Sequence, residues 1–232
     1  MTKGILFNTE MVKAILDGRK TVTRRVIQPH YKDGEAGFRI NRRTVDGVIT
    51  GIEYYDEEEC GTGRYIQPPY QIGDTLYVRE SAMITAYGGS DSGYYIDCHF
   101  CNGENKRFTV PFEEYKRVMN KCVKIWDEKN PYKSPKFSPY WLTKHEARIW
   151  LKVTDVRVER LQDIDGQGIA REGVDNGKSN PSMGVRWENM QRMAFEKLWN
   201  STIKKQDLDK YGWNANPYVW VIEFERIEKG DI

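Results

Sequence analysis

The residues of this chain that could do chemistry are gathered in a few short stretches. Residues 19–25 read Arg-Lys-Thr-Val-Thr-Arg-Arg, which sets one lysine and two hydroxyls among three arginines. Arg42-Arg43 is a second basic pair. Such clusters could hold phosphate, and 7 Trp with 14 Tyr could supply stacking surfaces for bases, although aromatic cores draw on the same residues. Net charge is only +2, so any nucleic-acid affinity has to come from local clustering and not from the field of the whole molecule. Cys98-His99-Phe100-Cys101 has metal-ligand spacing, with Cys60 or Cys122 available to complete a set. No second Cys-x-x-Cys or His-x-x-x-His pair accompanies it. Cys122 also falls on the apolar stripe of a helix marked by Phe112, Tyr115, Val118, Met119, Ile125 and Trp126. A buried structural thiol is the preferred reading, and no metal or cofactor is expected.

Composition sets the class. A chain of 232 residues, 39% hydrophobic and 30% charged, is long enough to bury a core and reads as a soluble globular protein. Apolar runs fall short of the roughly 20 residues that a membrane helix requires. The opening Met1–Phe7 stretch is too short for a signal peptide. A cytoplasmic monomer without membrane partners is expected, and disulfides are not.

The elements that position these residues follow from periodicity and punctuation. A strand at Gly4–Phe7 leads to Asn8-Thr9 as a helix cap with Glu10 in the first turn. Met11, Ala14 and Ile15 form the apolar face of that helix, and Gly18 ends it. Thr21–Ile27 is rich in β-branched residues and reads as a strand. Residues from about 30 to 70 and from about 82 to 140 read as insertions. The first is punctuated by glycines, and the second holds a hairpin around Gly93–Val110 and the helix carrying Cys122. Between them, Gly73-Asp74 turns into the alternating strand Thr75–Glu80. Ala147–Leu161 is a further strand, followed by a short helix over Asp163–Glu172 that stops at Gly173. A longer helix carries Trp187, Met190, Ala194, Phe195 and Leu198, and Pro217 opens a last strand. Long helices join few of these strands, which argues against a parallel α/β sheet. The fold class expected is α+β, a mainly antiparallel β-barrel with packed helices and two insertions, as one domain spanning 1–232.

Three segments, taken in order, resemble the ASCH family of the PUA-like superfamily. They are Leu16-Asp17-Gly18-Arg19-Lys20-Thr21-Val22-Thr23-Arg24-Arg25, then Gly73-Asp74 leading into Leu76-Tyr77-Val78-Arg79-Glu80, then Val153–Leu161 with Ala170-Arg171-Glu172-Gly173 and the closing Trp220–Phe224 strand. The whole chain is similar to a longer ASCH variant common in bacteriophage and prophage genomes. Ser138-Pro139-Tyr140-Trp141 and Trp213-Asn214-Ala215-Asn216-Pro217 carry that likeness.

The resemblance implies a PUA-like barrel and a cleft for RNA or a modified nucleoside. Small ASCH proteins include amidohydrolases that deacetylate N4-acetylcytidine, and the matching positions here are Lys20, Thr23 and Glu172. Thr23 would be the nucleophile, Lys20 the base and Glu172 a proton shuttle. Lys20 can serve as base only if its pKa lies well below the ordinary value of about 10.4, through burial or the neighbouring arginines. An ionised Glu172 beside it would work in the opposite direction. Strand alternation would set Lys20 and Thr23 on opposite faces, so Lys20 is expected in the turn after Gly18. Substrate or nucleic-acid contacts are expected from Arg19, Thr21, Arg24, Arg25, Tyr77, Arg79 and Glu80, with Tyr77, Trp141 and Trp213 as stacking candidates. In the small enzymes the residue after the second threonine is apolar, whereas here it is Arg24. Two readings stand side by side: a binding module for RNA or a modified base, and an amidohydrolase acting on N4-acylated cytidine.

Overall fold

The computed structural model describes residues 1–28, 35–42, 47–90, 93–129, 136–137, 142–174 and 185–229. Among them the chain is α+β, with mostly antiparallel sheets and several helices. It divides into two compact units, Met1–Leu16 with Thr75–Leu151 and Arg226–Ile232, and Asp17–Asp74 with Lys152–Glu225. The sheets do not close into a barrel. They are open, with free ends to their strand orders, so the closure that the resemblance implies is not seen.

In the first unit β1 (Thr2–Leu6) pairs in parallel with β6 (Thr75–Arg79). Helix α1 (Thr9–Leu16) follows β1, with Asn8 Oδ1 accepting from Met11 N at 2.9 Å. Its buried face is Val12, Ala14 and Ile15, the spacing expected of an amphipathic helix. The second expected insertion folds as a four-stranded sheet of β7 (Ala82–Ser90), β8 (Gly93–Phe100), β9 (Asn105–Val110) and β10 (Lys136–Phe137), ordered β10-β7-β8-β9. The β8–β9 hairpin turns at Gly103, whose φ of +86° suits glycine. Helix α2 (Phe112–Lys129) lays Val118 and Cys122 on this sheet, where they join Ile84, Ile96, Cys98, Phe100 and Phe108 in one core. The side chains of Ile125 and Trp126 lie outside the described residues, as do Tyr140 and Trp141.

Strand alternation explains the cysteines. Cys98 points into that core while His99 faces out and meets Asn105 Oδ1 at 2.7 Å. Burial pushes the Cys98 and Cys122 thiols up to about 12, so neither offers a thiolate. Among the described residues no group of three His, Cys, Asp or Glu side chains could hold a metal ion.

In the second unit β12 (Tyr218–Ile227) lies between β11 (Trp150–Arg160) and β2 (Val22–Val26), and pairs antiparallel with β2. Val219, Trp220, Val221 and Ile222 are all buried, so β12 is covered on both faces and not on alternate residues alone. One face, Val22, Val219 and Val221, packs with Leu161, Ile169, Phe195, Trp199 and Trp213. Leu161 follows β11 directly, and the others come from α3 (Gly166–Arg171), α4 (Val185–Thr202) and the turn after α5 (Leu208–Tyr211). Of the α4 stripe, Phe195 is buried and Met190 is exposed. The first expected insertion forms an antiparallel sheet of β3 (Gly37–Arg42), β4 (Ile49–Tyr55) and β5 (Gly61–Ile66).

Candidate functional site

Lys20, Thr23 and Glu172 all belong to the second unit. Two glycines flank the meeting of two segments distant in sequence there. Gly18, at φ +74°, turns the chain out of α1, and Gly173, at φ +81°, turns it away from α3. Between these turns Lys20 and Glu172 form an isolated antiparallel bridge, supported by Thr21 N donating to Arg171 O at 2.9 Å. Lys20 therefore lies ahead of β2 and outside the regular strand, where the alternation rule does not bind it. Asp165 caps α3 by accepting from Gly168 N at 2.6 Å, which fixes the helix that ends on Glu172.

The lysine is sealed in. Its residue exposure is 2%, and Glu172 and Arg24 are each 4% exposed. Its Nζ donates to Glu172 Oε2 at 2.5 Å, to Val22 O at 2.8 Å and to Glu172 O at 3.0 Å. An ammonium has three donors and no lone pair, so this surrounding suits the protonated form. Burial nonetheless lowers the Lys20 pKa below the ordinary lysine value. The Glu172 charge and hydrogen bond oppose that shift, and the charges of Arg25 and Arg24 add to it.

Glu172 is shared. Arg24 Nη1 reaches Glu172 Oε1 at 3.2 Å, while its Nη2 reaches Glu159 Oε2 at 3.1 Å. Arg24 Nε is buried without a hydrogen-bond partner. Thr23 is also buried, and its Oγ1 accepts from Arg25 Nη1 at 3.1 Å, which leaves the hydroxyl proton for another acceptor.

From Glu159 the charges continue outward. Arg157 Nε donates to Glu159 Oε1 at 2.5 Å and its Nη1 to Glu223 Oε1 at 2.5 Å. Arg171 holds Glu223 from the other side, at 3.0 and 2.5 Å, and its Nε donates to Thr21 Oγ1 at 3.2 Å. The hydrogen bonds of Arg171 hold Glu223 below the usual carboxylate range. The chain of alternating charges thus runs Lys20, Glu172, Arg24, Glu159, Arg157, Glu223, Arg171 and returns to Thr21, beside its start. It stitches β2, β11, β12 and the end of α3 together.

The residues expected to contact a ligand are distributed unevenly. Arg24 is committed to two carboxylates inside the protein, so it is not a surface phosphate contact. Arg25 is half-buried and held on Thr23. Arg19 is exposed, pairing with Asp17 at 2.9 Å and donating to Gly173 O at 3.0 Å. Thr21 is taken by Arg171. Tyr77, Arg79 and Glu80 belong to the first unit: Tyr77 is half-buried and tilted against Trp150 at 6.0 Å, and Arg79 is half-buried on β6. Glu80 is buried and paired there with Arg148. Trp213 is a core ring, edge-on to Phe195 at 5.9 Å, and not a stacking platform.

The expectations from sequence passed over Arg157, Glu159 and Glu223. A signal for them exists: Asp155, Arg157 and Glu159 alternate with Val156 and Val158, which marks one charged face of β11. No family model, no curated protein and no solved structure matches this chain.

Proposed function

We propose that the second unit carries a site for a modified nucleoside on the ASCH pattern, within a PUA-like fold, and that Lys20, Thr23 and Glu172 hydrolyse an N4-acyl group from cytidine there. The observation that supports this reading is the burial of a lysine–carboxylate pair, and of a threonine three residues further along the chain, on the residues where the resemblance puts the chemistry. Burial supports a base rather than a fixed cation, because it costs the charged lysine its solvation. In the reaction, neutral Lys20 takes the Thr23 proton as Oγ1 attacks the acyl carbon. The carbon–nitrogen bond then breaks, the proton passes to the departing N4, and cytidine leaves. Water cleaves the threonyl ester and releases the carboxylic acid, restoring the hydroxyl.

The commitment of Arg24 to Glu172 and Glu159 favours a nucleoside over a polynucleotide, since it withdraws a cation from any phosphate track. The test is incubation of the protein with N4-acetylcytidine, with Lys20→Ala in parallel and chromatography for cytidine. Cytidine release that is lost in the variant is the expected result. Absence of release at stoichiometric protein would overturn the hydrolytic step and leave recognition of a modified base or RNA.

A further inference from the structure

We infer that Arg24 is a positioning residue: by forking between Glu172 and Glu159 it locks the Glu172 carboxylate in place against Lys20 and sets a second positive charge near the lysine, which favours release of the lysine's proton. The assignment of that proton to hydrolysis rests on the reading above; the lock itself does not.

The geometry divides the Glu172 carboxylate between two cations, with Oε2 on Lys20 at 2.5 Å and Oε1 on Arg24 at 3.2 Å. A carboxylate with each oxygen held by a charged donor is fixed in place. A guanidinium does not release its proton at accessible pH, so of the two cations Lys20 is the one able to change its charge. The position of Arg24 is itself fixed: Glu159 takes its other Nη, and Glu159 is held in turn by Arg157. Gly168 leaves the room, since a Cβ there would lie 3.4 Å from Arg24 Nη2 and 3.0 Å from Asp165 Oδ1.

The neighbouring charges give the direction. Arg25 and Arg24 both place positive charge near Lys20, which favours release of the lysine's proton, while Glu159 offsets part of the Arg24 charge. Without Arg24, Glu172 would serve Lys20 alone and the pair would hold its proton more tightly. The residue that departs from the small-enzyme pattern thus makes the lysine the better base.

The experiment labels lysine with 13C at Cε, assigns Lys20 by the signal missing from Lys20→Met, and follows its titration without substrate. Wild-type Lys20 titrates below the ordinary lysine midpoint of about 10.4. Arg24→Met is expected to raise the midpoint by about one unit, a tenfold gain in proton affinity, and Arg24→Lys to restore most of the wild-type value. Arg24→Gln, which keeps hydrogen bonding but not charge, should behave like Arg24→Met and stands in for it if that variant fails to fold. An unmoved midpoint in a folded Arg24→Met or Arg24→Gln protein would overturn the inference. Because no substrate is present, a shifted midpoint with no cytidine release would retain the lock and refute only the hydrolysis.

Discussion

Each unit of this protein buries an ion-pair cluster built on glutamate, and the two are made differently. In the first unit Arg148 grips Glu80 with two parallel bonds of 2.8 Å, bonds Glu104 with its remaining nitrogen, and lies 4.0 Å over the Phe100 ring. All of its nitrogens are used, one carboxylate is buried and the other is half in water. In the second unit the carboxylate is split between Lys20 and Arg24, Arg24 is shared in turn with Glu159, and Arg24 Nε lacks an acceptor. Thr23 is buried in the same unit. The first arrangement is closed, with its cation on an arginine that does not titrate, as befits a brace between β7–β9 and the segment before β11. The second contains a cation that can titrate. Burial of charge is common to both, so burial alone does not separate the proposed site from a structural brace. Titratability and incomplete satisfaction do.

The comparison breaks most sharply when each cluster loses its glutamate. Glu172→Ala and Glu80→Ala each leave buried cations unneutralised and are expected to cost about 3–5 kcal/mol in denaturant unfolding at neutral pH. Their pH dependences should then diverge. Lys20 has a folded pKa below its unfolded value, so the unfolded chain binds more protons between the two, and stability rises with pH through that window. Glu172→Ala should accordingly regain part of its loss as pH rises toward about 10, whereas Glu80→Ala, which strands an arginine, should not. Equal recovery in both variants would contradict the distinction.

A smaller effect concerns a third buried carboxyl, outside both clusters. Glu146 is pushed up to about 7 by burial and by Glu114 beside it, while its Oε2 accepts from Thr143 N and Oγ1 at 3.0 and 2.8 Å. Its folded pKa exceeds the unfolded value, so the folded chain binds more protons between them. Its contribution is full below about 4.5 and is lost as pH rises through 7. Glu146→Gln should stabilise the protein by about 1–3 kcal/mol at pH 8 and by little at pH 4. A thermal-unfolding series across pH checks it, and equal effects at both ends would refute the assignment.

The smallest effect belongs to the exposed pair beside the site. Arg19→Ala removes a salt bridge to Asp17 whose partners are 39% and 57% exposed, and should change stability by under about 0.5 kcal/mol. A loss comparable with that of Glu172→Ala would mean that the cluster extends to the surface.

Much of the local fold was legible in the sequence because its signals are local. The β-branched run after Gly18, the cap at Asn8 and the glycine after Glu172 gave β2, α1 and the end of α3 close to their observed bounds. The position of Lys20 before the strand followed from alternation together with the shared cleft that the resemblance implies, with a bulge as the alternative. What escaped was non-local. Glu159 and Glu223 meet Arg24, Arg157 and Arg171 across pairings set by β11 and β12, and no short-range pattern states which arginine faces which glutamate. The burial of Arg24 was illegible for the same reason: a basic run reads as a surface until its partners are known. Closure of the sheets was expected from the order of elements as well as from the resemblance, and strand pairing, which neither states, decides against it.

The measurement that tests the central claim most directly is calorimetric titration of N4-acetylcytidine into Thr23→Val at about 50 and 200 mM salt, with Lys20→Ala beside it and single-stranded RNA as the competing ligand. A nucleoside site predicts binding to Thr23→Val that is indifferent to salt and is lost in Lys20→Ala, since a free nucleoside displaces few counterions. No nucleoside binding, together with RNA binding that falls steeply between the two salt concentrations, would contradict the account.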